Sequence, residues 1–210
     1  MNLLAPGRLS FQAALTLQEN LVADVQAGDA EETLILLEHE PVYTIGRTRD
    51  RSSLRDALPH PVFETNRGGQ ATFHGPGQLV GYPILDLNTR RRDLHRYLRF
   101  LEDFLIEFSA GYGVTAERRE GLTGVWVGPR KLASLGVGVR KWITMHGFAI
   151  NVTGESTRAF AHITPCGLAG VEMTSLSRER GAEIAFEEAV GRAAELFEQR
   201  IGQLAEDDTL

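Results

Sequence analysis

The chain carries one cysteine, Cys166, and only two lysines, Lys131 and Lys141, among 22 Lys and Arg residues. Such a chain meets nearly all its need for positive charge with arginine, which keeps its proton in a protein, whereas a buried lysine can lose its own. A lone thiol and a rare amine are therefore the first candidates for a nucleophile and its base. The thiol must become a thiolate to react, and an adjacent cation favours that form. Cys166 stands in Ile163-Thr164-Pro165-Cys166-Gly167. Pro and Gly on either side predict a tight loop, not the buried interior where most free cysteines are inert.

The densest stretch of glycine is Arg67 to Gly81, RGGQATFHGPGQLVG, with five glycines and a proline. Glycine there permits positive φ and lets backbone N–H groups approach a ligand closely. No Gly-Lys-Ser/Thr follows, and no helix-opening GxGxxG spacing is present, so neither a Walker loop nor a dinucleotide fingerprint is indicated. His39, His60, His74, His95, His146 and His162 show no HxxxH or HxH spacing, and Cys166 has no CxxC partner, so no metal site is expected. His74 and His146 each precede a glycine at a strand end, where side chains reach a cleft.

Hydrophobic periodicity supplies the elements that must hold these groups. Phe11, Ala14, Leu15, Gln18, Leu21, Val22 and Val25 recur at helical spacing up to Gly28. Thr33–Glu38 reads as a buried strand and Val42–Gly46 as a second. Val62–Thr65 and Ala71–His74 flank the Arg67-Gly68-Gly69 turn as short strands. Leu79–Leu87 is a longer strand whose Pro83 predicts an edge or a bulge. Leu94, Tyr97, Leu98, Leu101, Phe104, Leu105 and Phe108 form the clearest helical stripe, with Asp93 in its first turn and Gly111 at its end. Val125–Val127, Lys131–Arg140 and Trp142–Val152 read as strands, turned at Gly128-Pro129 and Arg140-Lys141. Ile184–Leu204 is an amphipathic helix, followed from about residue 205 by an acidic, frayed end. Long antiparallel hairpins with helices set to one side predict an α+β fold of mixed or antiparallel sheets.

The length suits one domain spanning residues 1–210. The net charge of −6 argues against general binding of nucleic acid. No apolar run approaches a membrane span, and Met1 to Leu9 lacks the plan of a secretory signal. A single cysteine cannot form an internal disulfide, which fits a cytoplasmic protein. One local basic patch stands out: Arg47, Arg49, Arg51 and Arg55, opposed by Asp50. It is a candidate dock for an acidic protein.

Three blocks, RGGQATFHGPGQLVGYPILDL, KLASLGVGVRKWITMHGFAINV and ITPCGL, together with the earlier EHEPVYTIGR, resemble the lipoyl(octanoyl) transferases. The resemblance covers roughly residues 35 to 175. It implies the α+β fold shared with biotin and lipoate protein ligases. It implies transfer of an octanoyl group from acyl carrier protein to a lysine of a lipoyl domain, in lipoate biosynthesis. The family's catalytic cysteine falls on Cys166 and its lysine on Lys131, with Lys141 left as a hairpin-tip residue. Substrate binding falls on Arg67, Gly68, Gly69, Gln70, Ala71, Thr72, Phe73 and His74, on Ala133, Ser134, Leu135 and Gly136, and on His146, Gly147 and Phe148. No cofactor and no metal are implied, and the family suggests a monomer. The acceptors implied are the lipoyl domains of 2-oxoacid dehydrogenases and the glycine cleavage H protein.

On that basis the Cys166 thiolate takes the acyl group as a thioester, and the acceptor amine, deprotonated by Lys131, takes it from the enzyme. Backbone N–H groups of Gly75 to Gln78 and of Gly167 are the candidates for holding each oxyanion. An apolar slot distinguishes eight carbons from six by about 0.8 kcal/mol per methylene, roughly 15-fold in all. Two rivals fit the residues less well. An ATP-dependent ligase on the same fold needs no cysteine, and a thioesterase pairing Cys166 with His74 or His146 needs no Lys131.

Overall fold

The computed structural model describes residues 1–55, 57–164 and 170–205. Cys166, with Pro165 and Gly167, lies outside the described residues, as do Glu206, Asp207 and Asp208 of the acidic end.

A seven-stranded sheet forms the frame. Its strands in chain order are β1 (Asn2–Leu9), β2 (Thr33–His39), β6 (Gln78–Ile84), β7 (Glu117–Arg119), β8 (Leu122–Val127), β9 (Arg130–Arg140) and β10 (Ile143–Asn151). They stand side by side as β1-β2-β6-β10-β9-β8-β7. β1 runs parallel to β2, and every other pairing in this sheet is antiparallel. A second sheet holds β3 (Val42–Ile45), β4 (Val62–Glu64) and β5 (Thr72–His74) in the order β4-β3-β5, parallel and antiparallel respectively. The fold is α+β with mixed sheets, as the sequence predicts.

The helices do not sit on one side as expected. Strand alternation explains why. In β2, Leu34 and Leu36 join the large core beneath helices α2 (Leu94–Ala110) and α4 (Phe186–Arg200), while Ile35 and Leu37 join a second cluster beneath α1 (Phe11–Ala27). A strand apolar on both faces must be covered on both, and β2 is buried throughout. A third cluster, Tyr43, Phe73, Phe160, Ile163 and Met173, fastens the small sheet to a 3-10 segment, Gly154–His162. A short helix α3 (Leu176–Arg180) completes the regular elements named here.

Local chemistry sets the ends. Ser10 caps α1 by accepting from the Ala13 N–H at 3.2 Å, and Gly28, at φ 81°, closes it. Asp93 is the N-cap of α2, not a first-turn residue, and accepts from His95 and Arg96. The predicted last helix is α4 followed by a 3-10 turn, Ile201–Leu204.

Pro83 corrects a second expectation: it lies in β6, which has neighbours on both sides. Its carbonyl accepts from Thr144 Oγ1 of β10 at 2.6 Å, so its missing N–H also faces β10. The ladder between β6 and β10 stops at the Phe148–Gly81 pair and resumes only at the Ile143–Asp86 bridge. His146, inside that gap, has φ 56°. The proline therefore costs no ladder bond.

Candidate active site

The gap between β6 and β10 opens a cleft where the two sheets meet. It encloses about 560 Å³, open solvent at its mouth included. Phe11, Tyr82, Leu135, Phe148 and Ala149 give it apolar walls, and Arg67, His74, Ser134 and His146 bring polar groups. Of the residues predicted to bind substrate, Arg67, Gly69, Gln70, Ala71, Thr72, His74, Ser134, Leu135, Gly136, His146, Gly147 and Phe148 line it. Gly68, Phe73 and Ala133 do not. Phe73 alternates away from Thr72 and His74 into the cluster under the small sheet, and Ala133 turns into the main core. Gly68 instead donates its N–H to Val137 at 2.8 Å and ties the turn to β9. Sequence reasoning missed Phe11, Tyr82 and Ala149.

Close packing of backbone shapes the walls. A Cβ on Gly46 would lie 1.9 Å from the Gly69 carbonyl, and one on Gly147 would lie 2.3 Å from the Gly81 carbonyl. These glycines give space, whereas Gly69, at φ 81°, gives conformation.

Arg67 is 7% exposed, and its guanidinium is bound by neutral oxygens. It donates to Thr44 O at 2.7 Å, Thr44 Oγ1 at 2.8 Å, Gln70 O at 2.8 Å and Gly68 O at 2.9 Å. That positive charge and burial together keep the nearby imidazoles neutral. His146 is pushed down to about 4, by burial first and then by Arg67. Burial likewise pushes His39 down to about 4. His74 lies well below its usual range, through burial first and then through its electrostatic coupling to His39 and to the charge of Arg67.

Hydrogen bonds assign the tautomers. His39 Nδ1 faces the Leu9 carbonyl at 3.1 Å and must donate, so Nε2 accepts from the Tyr82 hydroxyl at 2.7 Å. In the unfolded chain His39 and His146 titrate near 6.5. Between that value and about 4 the unfolded chain binds more protons, so stability is complete above about 6.5 and is lost as the pH falls. At pH 5 the loss is roughly 2 kcal/mol for each of the two, from about 1.36 kcal/mol per unit. Urea unfolding is expected to show a clearly lower midpoint at pH 5 than at pH 7.5. Equal midpoints would mean that both rings protonate in the folded state at no cost.

Lys131 is the second residue of β9, three residues before Ser134, and is 1% exposed. Its Nζ donates to the Thr123 carbonyl at 3.1 Å and lies 5.2 Å from the centre of the Trp126 ring. Gly124 makes room for it: a Cβ there would stand 2.8 Å from Lys131 Cε. Helix α2 holds the neighbouring β8, where the buried Glu102 accepts the Gly124 N–H at 3.0 Å. On the other side, Lys131 donates its N–H to Glu172 O at 2.8 Å and accepts from Thr174 N–H at 2.9 Å. Lys141, by contrast, sits at the β9–β10 tip at φ 50°.

The expected oxyanion donors are reduced. The Gly77 N–H is taken by Glu38 Oε1 at 2.5 Å, the Gln78 N–H by Gly75 O at 3.2 Å, and Pro76 has none. Gly167 lies outside the described residues.

Solved structures share this fold. The chain superposes on a lipoate-protein ligase A bound with ATP with a TM-score of 0.81 at 14% identity, over 96% of this chain and 85% of that one. It superposes on a biotin protein ligase from Aquifex aeolicus, in complex with biotin and ATP, with a TM-score of 0.60 at 14% identity, over 98% and 72%. Residues 10–198 match the family model described as the lipoyl protein ligase A/B catalytic domain. The chain is 57% identical over 189 residues to an octanoyltransferase of Geobacter sulfurreducens, covering 90% of this chain and 80% of the relative. It is 51% identical over 168 residues to an octanoyltransferase of Gloeobacter violaceus, covering 79% and 75%. The chain belongs to the lipoyl protein ligase A/B family and, within it, to the octanoyltransferases, which are acyltransferases.

Proposed function

We propose that this protein moves an octanoyl group from acyl carrier protein onto a lysine of a lipoyl domain, through a thioester on Cys166. The observation that carries the reading is Lys131: a buried amine, rare in this chain, on the strand whose Ser134, Leu135 and Gly136 line the apolar cleft. The chain returns to Lys131 at Glu172, six positions after Cys166 in sequence. In the first step Lys131 takes the Cys166 proton, the thiolate attacks the octanoyl carbonyl, a new C–S bond forms as the carrier's C–S bond breaks, and the carrier sulfur leaves with the proton handed back by Lys131. In the second, the acceptor amine attacks the acyl-enzyme, Lys131 takes its proton, and the Cys166 sulfur leaves as the amide forms. Both His74 nitrogens are already bonded, Nδ1 to Gln78 at 2.8 Å and Nε2 to Thr44 at 3.4 Å, which counts against His74 as the base of a thioesterase.

The donor, being acidic, docks on the loop of Arg47, Arg49, Arg51 and Arg55. All four are exposed, and Glu64 lies 3.4 Å from both Arg49 and Arg51. That loop is bonded to the stem that leads to Cys166: Thr164 N–H to Ser53 O at 2.7 Å, and Arg55 N–H to His162 O at 3.2 Å.

One assay tests the whole reading. Intact mass after mixing with octanoyl-loaded carrier is expected to show a single octanoyl adduct. It needs Cys166, is lost in Cys166→Ser, and is discharged by an added lipoyl domain. At low salt, the R49E/R51E pair slows its formation and flattens its salt dependence. Lipoyl-domain modification that requires ATP and forms no adduct would establish the ligase instead. Unaltered kinetics in the arginine pair would remove the dock.

A further inference from the structure

A line of buried polar side chains runs from the cleft to the backbone around Lys131. Its direction is set at the far end. The Thr174 carbonyl can only accept, and Asn151 Nδ2 donates to it at 3.0 Å. Asn151 must then present Oδ1 to Gln78, whose Nε2 donates at 3.0 Å. Gln78 in turn presents Oε1 to His74 Nδ1 at 2.8 Å, so that nitrogen bears the proton. His74 Nε2 is left bare and accepts from Thr44 Oγ1 at 3.4 Å, which itself accepts from Arg67 at 2.8 Å. Gln78, Asn151 and Thr174 are each at most 1% exposed.

Thr174 is the residue whose N–H bonds the Lys131 carbonyl. Its hydroxyl donates to Glu179 Oε1 at 2.5 Å. Glu179 also holds Arg130, beside Lys131, through two bonds of 2.7 and 2.8 Å. One chain of bonds therefore fixes both the tautomer of His74 in the cleft and the segment that brackets Lys131. Buried polar groups are costly unless fully satisfied, and satisfied chains hold one geometry.

We infer that Gln78 and Asn151 are positioning residues that lock the backbone around Lys131 to the acyl cleft through His74 and Thr174. The inference rests on the proposed Cys166–Lys131 pair. Neither side chain lines the cleft, so each acts through its neighbours.

Because Cys166 is the sole thiol, alkylation by iodoacetamide reports on it alone. The full chain is alkylated across a pH series and followed by intact mass, as wild type, Lys131→Met, Asn151→Leu and Gln78→Met. All three substitutions are uncharged, so no new charge acts on the thiol. Lys131→Met is expected to move the alkylation midpoint to higher pH. Asn151→Leu and Gln78→Met are expected to move it in the same direction and to lower the acyl-transfer kcat by about tenfold, as for one buried bond left unmade. The KM for the loaded carrier stays nearly unchanged. A midpoint that moves in Lys131→Met but stays put in both folded relay variants overturns the inference alone. A midpoint unmoved by Lys131→Met overturns the dyad, and the inference with it. Loss of the folded circular-dichroism spectrum in both relay variants assigns the chain of bonds to stability alone and also overturns it. If one variant keeps its fold, its profile decides.

Discussion

Lys131→Met loses acyl transfer by about 10²- to 10⁴-fold while the protein stays folded; that is the span of a positioned proton-transfer group. Methionine follows the apolar stem of lysine closely enough to keep the packing against Trp126 and Gly124, where Cε is already crowded. What is removed is the amine, together with its bond to the Thr123 carbonyl. Lys131→Arg fails almost as completely. A guanidinium keeps its proton and is too broad for the slot that Gly124 leaves. Single-turnover transfer from loaded carrier, read beside a thermal midpoint, separates the two contributions. A methionine variant within tenfold of wild type would place the base elsewhere.

Gly46→Ala is the larger blow to the fold. The new methyl would meet the Gly69 carbonyl at 1.9 Å and the Arg67 carbonyl at 3.0 Å. Both are backbone atoms, so no rotamer change relieves the contact. Arg47 N–H bonds Arg67 O at 3.0 Å across the same approach, and pushing the turn away breaks that bond too. Overpacking of this kind costs typically 1–3 kcal/mol and occasionally more; the upper end, about 3 kcal/mol, is expected. The Arg67–Gly69 turn also forms one wall of the cleft, so octanoyl transfer falls with stability. Urea unfolding measures the first and the adduct assay the second. A loss below about 1 kcal/mol would show that the turn yields freely.

Sequence pattern carried the long elements because their burial is one-sided and periodic. The stripe from Leu94 to Phe108 predicts α2 almost to its ends, and the run Thr33–Glu38 predicts β2. β1 escaped because it has little to show: its eight residues are nearly all exposed, and Pro6 and Gly7 interrupt them where the register with β2 shifts. β7 and α3, of three and five residues, are too short to display a period. Pro83 misled because the rule concerns lost ladder bonds, and the gap at His146 left none to lose. In the cleft, the glycine-rich block and the two histidines were legible as types. The relay was not, since Gln78, Asn151 and Thr174 meet only through β6, β10 and the segment beside Lys131. Phe73 and Ala133 were placed by motif, and strand alternation turned them away.

An octanoyltransferase whose acceptor is a lysine, as proposed, must live with its own lysines. Lys131 is sealed in β9, and Lys141 stands alone at a hairpin tip, so the surface offers one ε-amine to stray chemistry. Every other basic side chain is an arginine, too firmly protonated to be a nucleophile, or a histidine. The scarcity of lysine thus leaves Lys141 as the one exposed ε-amine of the protein.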